Sequence, residues 1–173
     1  MNIALEKPFQ LFEPRECQQL IEQARELMPG RVMGADPLRT SRNNNVFWQE
    51  LDENLKQRLW MLAERFRPRY PWTWFQEPVQ ISRYAPGEYY DWHSDTYGTE
   101  GRSSVRCLTL TCTLRPAPGA VFCFEDQELD LATGQAVFFD SHRLHRAAAP
   151  ISGERWALTV WYMQPNPALQ PAH

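Results

Sequence analysis

The chain has 173 residues, 43% hydrophobic and 23% charged, the balance expected of one ordinary folded domain with a sizeable core. A formal net charge of −3 leaves no overall electrostatic footprint for nucleic acid or acidic lipid, so neither partner is expected. Glu6, Lys7 and Pro8 interrupt the opening residues, and no later stretch reaches the ~20 apolar residues of a membrane span, so the chain is read as cytoplasmic and free of membrane.

In chain order, FEPRECQQLIEQARELMPG comes first. Cys17, Leu20, Ile21, Ala24, Leu27 and Met28 follow helical spacing, Pro14 suits a first turn, and Pro29-Gly30 is a stop. RVMGADPLRTSRNNN is polar and turn-rich and reads as a loop. A second stripe, Leu51, Leu55, Leu59, Leu62 and Phe66, predicts a second helix. From Pro71 the pattern changes to short runs of β-branched and aromatic residues: PVQISRY, EYYDWHSD, SVRCLTLTCTL, AVFCFED, QELDL, GQAVFFD, RLHRAAAP and ERWALTVWYM.

Two helices followed by eight short strands predict a mainly β, α+β fold: a double-stranded β-helix, or jelly roll of cupin type, with helices packed on the outer face of one sheet. The expected organisation is a single domain, with a helical support region over 1–70, the β core over 71–163 and a proline-rich tail over 164–173, where His173 is unremarkable. The four cysteines, Cys17, Cys107, Cys112 and Cys123, form no CxxC pair and read as small buried thiols.

Strand parity adds a cavity. Leu108, Leu110, Cys112 and Leu114 suit packing under the helices, and Thr109, Thr111 and Thr113 suit a polar interior. On the last strand Trp156, Leu158, Val160 and Tyr162 share one face, and Arg155, Ala157, Thr159 and Trp161 share the other, so a charge is expected to point inward.

YYDWHSD carries the chemistry. Residues two apart on a strand share a face, so His93 and Asp95 can grip one ion. A third ligand would complete a two-histidine, one-carboxylate triad suited to divalent iron, with positions left open. His142, His145 and His173 are the candidates for the third ligand, the place of His145 on the penultimate strand favours it, and Asp91 offers an alternative pincer with His93. Arg155 follows His145 by ten residues, and antiparallel pairing of their strands would bring it into the same cavity, deeper than the metal.

The order HxD, then GQAVFFD, then HRAAAPISGERWALTVWY resembles the catalytic core of the iron(II)- and 2-oxoglutarate-dependent dioxygenases, nearest to their prolyl 4-hydroxylase branch, over roughly residues 79 to 163. The resemblance implies His93, Asp95 and His145 as iron ligands and Arg155 as the partner of the distal carboxylate of 2-oxoglutarate. Tyr84 matches a family tyrosine that contacts the cosubstrate, and Thr113 stands where some relatives place a hydroxyl-bearing residue. The implied cofactors are Fe(II), 2-oxoglutarate and O2, with ascorbate as a candidate addition. The implied activity is hydroxylation of an unactivated C–H bond, first of a peptidyl residue such as proline, with a free amino acid or small metabolite as the alternative. A nucleic-acid demethylase is disfavoured, because the second arginine usual there is Trp161. A non-catalytic metal-binding jelly roll and a zinc hydrolase remain as readings of other classes. RTSRNNN and TYGTEGRSS are expected to form a substrate-recognising lid. Trp48, Trp72, Trp74 and Trp92 are read as core or rim.

Overall fold

The computed structural model describes residues 4–30, 42–96 and 102–169. In chain order they form β1 (Phe9–Gln10), α1 (Pro14–Arg25), β2 (Asn45–Gln49), α2 (Glu53–Ala63), β3 (Trp74–Phe75), β4 (Val79–Tyr84), β5 (Tyr90–His93), β6 (Ser104–Arg115), β7 (Phe122–Phe124), β8 (Glu128–Leu129), β9 (Gln135–Asp140), β10 (His145–Ala147) and β11 (Arg155–Pro165). Short 3-10 turns cover Glu64–Phe66 and Pro167–Leu169.

The strands make two antiparallel sheets, the jelly-roll arrangement that the sequence pattern predicts. The larger has seven strands, ordered β1-β9-β6-β11-β4-β2 with β3 added to β11; the smaller has four, ordered β5-β10-β7-β8. All eight runs read from the sequence are strands. The three additional ones are β1, β2 and β3. β1 and β3 have two residues each, too few to show a period of two, and β2 begins at the last asparagine of the run read as loop.

The helices lie on the outer face of the seven-stranded sheet. Cys17, Leu20, Ile21 and Ala24 of α1 and Leu59 and Ala63 of α2 join one buried cluster with Leu108, Leu110, Cys112 and Leu114 of β6 and Trp156, Leu158, Val160 and Tyr162 of β11. Each large side chain withdrawn there contributes about 1.5–3 kcal/mol. The Tyr162 hydroxyl donates to the Leu59 carbonyl at 2.9 Å, so this buried phenol is satisfied and ties sheet to helix. The Asp52 carboxylate accepts from the Leu55 N–H at 2.9 Å and starts α2.

One boundary differs from the sequence reading. Helix α1 ends at Arg25, and Leu27 and Met28 are 38% and 87% exposed, so their helical spacing is not matched by a buried face. The cysteines are free and buried, as expected. Helices α1 and α2 have 12 and 11 residues, and among the described residues no helix is long and apolar enough to cross a membrane.

Candidate metal centre

The antiparallel pairing of β5 with β10 sets His93 directly opposite His145, so two histidines 52 positions apart share one face of the smaller sheet. Asp95 lies past the end of β5 rather than on it. Its carboxyl is brought back to the imidazoles by the turn, whose Asp95 N–H donates to the Ser141 carbonyl at 3.0 Å. The side chains of His93 and Asp95 do converge, but a strand end followed by a turn, not shared strand parity, supplies the geometry.

His93, Asp95 and His145 each offer one ligand atom, and these atoms lie within 4.8 Å of one another. His93 Nε2 is 3.8 Å from Asp95 Oδ1, and His145 Nε2 is 3.7 Å from Asp95 Oδ2. Both rings are aimed from behind: His93 Nδ1 donates to the Asp91 carbonyl at 2.7 Å and His145 Nδ1 to the Arg143 carbonyl at 2.8 Å. A carbonyl only accepts, so each Nδ1 carries the hydrogen and each Nε2 presents a lone pair to the common centre. The alternatives fall outside this group: Asp91 and His142 are exposed, and Asp91 contributes its backbone carbonyl instead.

The electrostatics suit a cation. Burial, with His145 beside it, pushes the His93 imidazole down to about 3, so the ring is neutral and able to ligate at neutral pH. Burial alone would raise the Asp95 carboxyl; the positive charge that His145 and His93 can carry, and that of Arg106, outweighs it and holds the carboxyl below its ordinary value. Two imidazoles whose Nε2 atoms face one point and a carboxylate, all buried, form a donor set that fits ferrous iron and leaves coordination positions free.

A narrow cavity extends from these three side chains between the two sheets. Arg155, Ala157, Thr159 and Trp161 all line it, as their parity predicts. Arg155 does not arrive as expected, however. Strands β10 and β11 lie in different sheets, so the arginine faces the histidines across the cavity instead of pairing beside them. It is 2% exposed, and among the described residues no carboxylate lies within 4 Å of its guanidinium. Burial lowers its ordinary value, with Tyr84 opposing the shift. Tyr84 is its register partner on β4, with the guanidinium carbon 5.4 Å from the ring centre. A buried guanidinium fork with no counter-ion among the described residues fits a ligand carboxylate.

Thr113 is buried on the Thr109 and Thr111 face, opposite Ala157, but Thr111 lines the cavity and Thr113 does not. Trp72 is buried in the core, Trp74 and Trp92 are each 42% exposed, and Trp48 packs 6.1 Å from the Trp161 ring. Positions 39–41 and 97–101 of the two expected lid segments, and His173, lie outside the described residues.

Several neighbours of the site were not singled out by sequence. Tyr90 stacks on His93 at 3.4 Å between ring centres, and the Arg42 guanidinium sits 4.4 Å from the centre of the Tyr90 ring. Arg42 also donates to Gln80 and Ser82 on the cavity wall. Trp161, already expected on the inward face, has an indole N–H that makes no hydrogen bond within 3.5 Å among the described residues, although it is near enough to Asp95 to favour the ionised carboxyl. Tyr90 stands three residues before His93, so strict alternation assigns it to the opposite face; a register shift between β5 and β10 brings it to the cavity. Arg42 gives no signal in a polar loop.

Residues 79–163 match the family model described as the 2OG-Fe(II) oxygenase superfamily. The chain belongs to that superfamily. The oxygenase is thus an enzyme that works with Fe(II), 2-oxoglutarate and O2. No curated protein sequence matches it. Its fold is shared with three solved prolyl hydroxylases. The viral collagen prolyl hydroxylase of Paramecium Bursaria Chlorella virus-1, in a 2OG complex, has a TM-score of 0.71 at 22% identity, covering 91% of this chain and 94% of that one. A Pseudomonas putida prolyl-4-hydroxylase gives 0.70 at 17%, over 91% and 92%. The prolyl hydroxylase from Trichoplax adhaerens, in complex with a hypoxia inducible factor peptide fragment, gives 0.66 at 18%, over 90% and 82%.

Proposed function

We propose that this oxygenase hydroxylates a peptidyl residue, with proline the first candidate. In this reading His93 Nε2, His145 Nε2 and an Asp95 oxygen hold the iron, and Arg155 with Tyr84 receives the distal carboxylate of 2-oxoglutarate. Thr113, one step along the same strand face from Thr111 and off the cavity lining, is given no contact with the cosubstrate in this reading. The observation that carries the reading is the pairing of a converging His-Asp-His group with a buried arginine that has no carboxylate within 4 Å among the described residues, both lining one cavity.

The bound cofactors supply the coupled oxidation of 2-oxoglutarate to succinate and carbon dioxide and of a substrate C–H to C–OH. The chain's own residues do the rest. Arg155 draws a diacid to full depth through a planar fork that lysine cannot reproduce. Carbonyl-anchored imidazoles keep both Nε2 atoms directed at one point. Phe122, Phe139 and Ala147 line the apolar part of the cavity and exclude water from the reacting centre. Tyr90 and Trp161 stand as aromatic walls beside the metal-binding side chains, and a compact, apolar pyrrolidine ring between such faces is well matched. The fold shared with prolyl hydroxylases, one of them in complex with a peptide, supports the same substrate class.

The test is aerobic incubation with Fe(II), 2-oxoglutarate and ascorbate, using proline-containing peptides and free proline in parallel. Mass spectrometry should find one added oxygen on a peptidyl proline with stoichiometric succinate. Oxidation confined to free proline or other small molecules would contradict the peptide assignment.

A further inference from the structure

Asp95 is held by more than its place beside the histidines. The Thr109 hydroxyl, on β6 in the larger sheet, lies 2.8 Å from Asp95 Oδ2. A carboxylate only accepts, so Thr109 donates. The same hydroxyl oxygen is 2.9 Å from Ser141 Oγ. Thr109 has one hydrogen and it is committed to Asp95, so Ser141 donates to Thr109. Both residues have 0% exposure, where an unmade hydroxyl bond is costly. The strand register explains the alignment: Thr109 pairs with Phe139 of β9, so Ser141, two residues on, reaches the same face. The Ser141 carbonyl also accepts from the Asp95 N–H at 3.0 Å and the Ser94 hydroxyl at 3.1 Å, which anchors the backbone of the turn as well.

We propose that the Ser141 and Thr109 hydroxyls form a two-bond relay that fixes Asp95 as a one-oxygen metal ligand. This rests on the iron-site reading above and deepens it. With a lone pair of Oδ2 engaged by Thr109, the carboxyl cannot turn about its last bond, and Oδ1 remains the freer oxygen. Without the relay the carboxylate can swing away or chelate through both oxygens, which would consume a position that the cosubstrate or dioxygen needs. Hydroxyls in series polarise one another, so the second strengthens the first. Thr109 is thus a positioning residue, and the threonines that alternate along β6 differ in place, with Thr109 on the carboxylate, Thr111 on the cavity wall and Thr113 beyond the cavity lining.

The test uses Co(II) as the probe, so that turnover is not needed. Thr109→Val keeps the shape and removes the hydroxyl; Thr109→Ser restores it. Removing an outer partner of a metal ligand typically weakens binding by about 10–100-fold, and that loss is expected in Thr109→Val, with a changed intensity of the visible Co(II) bands as the coordination number changes. Thr109→Ser should return to within about two-fold of the parent, and Ser141→Ala should lie between the two. Unchanged affinity and bands in Thr109→Val overturn the inference, as does a serine variant as weak as valine, which would assign the effect to the lost methyl. Should Thr109→Val not fold, Ser141→Ala decides, since unaltered Co(II) affinity there removes the relay. A parent protein that binds no Co(II) overturns the iron-site reading itself, and the relay with it.

Discussion

Arg155 shows how much one buried side chain can say about function. A guanidinium at 2% exposure with no carboxylate within 4 Å among the described residues is expensive in a protein that has nothing to pair with it. Arg155→Lys keeps the charge but loses the fork. Giving up one charge-assisted hydrogen bond, about 1.5–3 kcal/mol, should raise the KM for 2-oxoglutarate about 10–100-fold, with Fe(II) affinity unchanged. Steady-state kinetics beside a metal titration checks both. His93 yields a pH prediction. Its ordinary value is 6.5 and burial pushes it to about 3, so between these values the unfolded chain binds a proton that the folded one refuses. Stability of the metal-free protein is therefore full above pH 6.5 and falls as the pH drops, by about 2 kcal/mol at pH 5. Asp95, held below its ordinary 3.8, adds loss in the same direction at lower pH. Urea unfolding at pH 7 and pH 5 should show this slope, and His93→Asn should flatten it. The converging His93, Asp95 and His145, and Arg155, could be picked out in the sequence because HxD and the arginine ten residues after His145 are local patterns. Thr109 could not, because its partner Asp95 is 14 positions away and only the sheet packing brings them together.

At the scale of elements, alternation along β6 and β11 foretold which face meets the helices and which meets the cavity, because each long strand is buried on both sides with different chemistry. Which sheet each strand joins was not foretold. Parity is the same for two strands paired side by side and for two facing across a cavity, so β10 and β11 were read as neighbours when they face each other. The ends of elements are set by tertiary contacts too. Gly134, just before β9, has φ +77° and accepts at its carbonyl from the Leu11 and Phe12 N–H groups, so it joins the β1 edge to the sheet. A Cβ there would meet the Phe12 carbonyl. Gly134→Ala should cost about 2 kcal/mol or more, from the positive φ and the displaced β1 segment. Thermal unfolding would measure it, and an unchanged midpoint would show that β1 yields without cost.

Across the whole molecule, the smaller sheet supplies both histidines, the larger supplies Arg155, Tyr84 and Thr109, and Asp95 sits in the turn after β5 and is clamped from the larger sheet. The site therefore exists only when the two sheets face each other. Ligands that bind the folded state stabilise it by mass action, so Fe(II) and 2-oxoglutarate added together without oxygen should raise the unfolding temperature more than either alone. The most direct measurement is an anaerobic titration of the protein with Fe(II) and 2-oxoglutarate followed by visible absorption. One ion and one 2-oxoglutarate per chain, with a weak charge-transfer band that disappears in Asp95→Ala and His145→Ala, is the predicted result. A band that survives both substitutions, or no band in the parent protein at saturating ligand, would contradict the assignment of these residues.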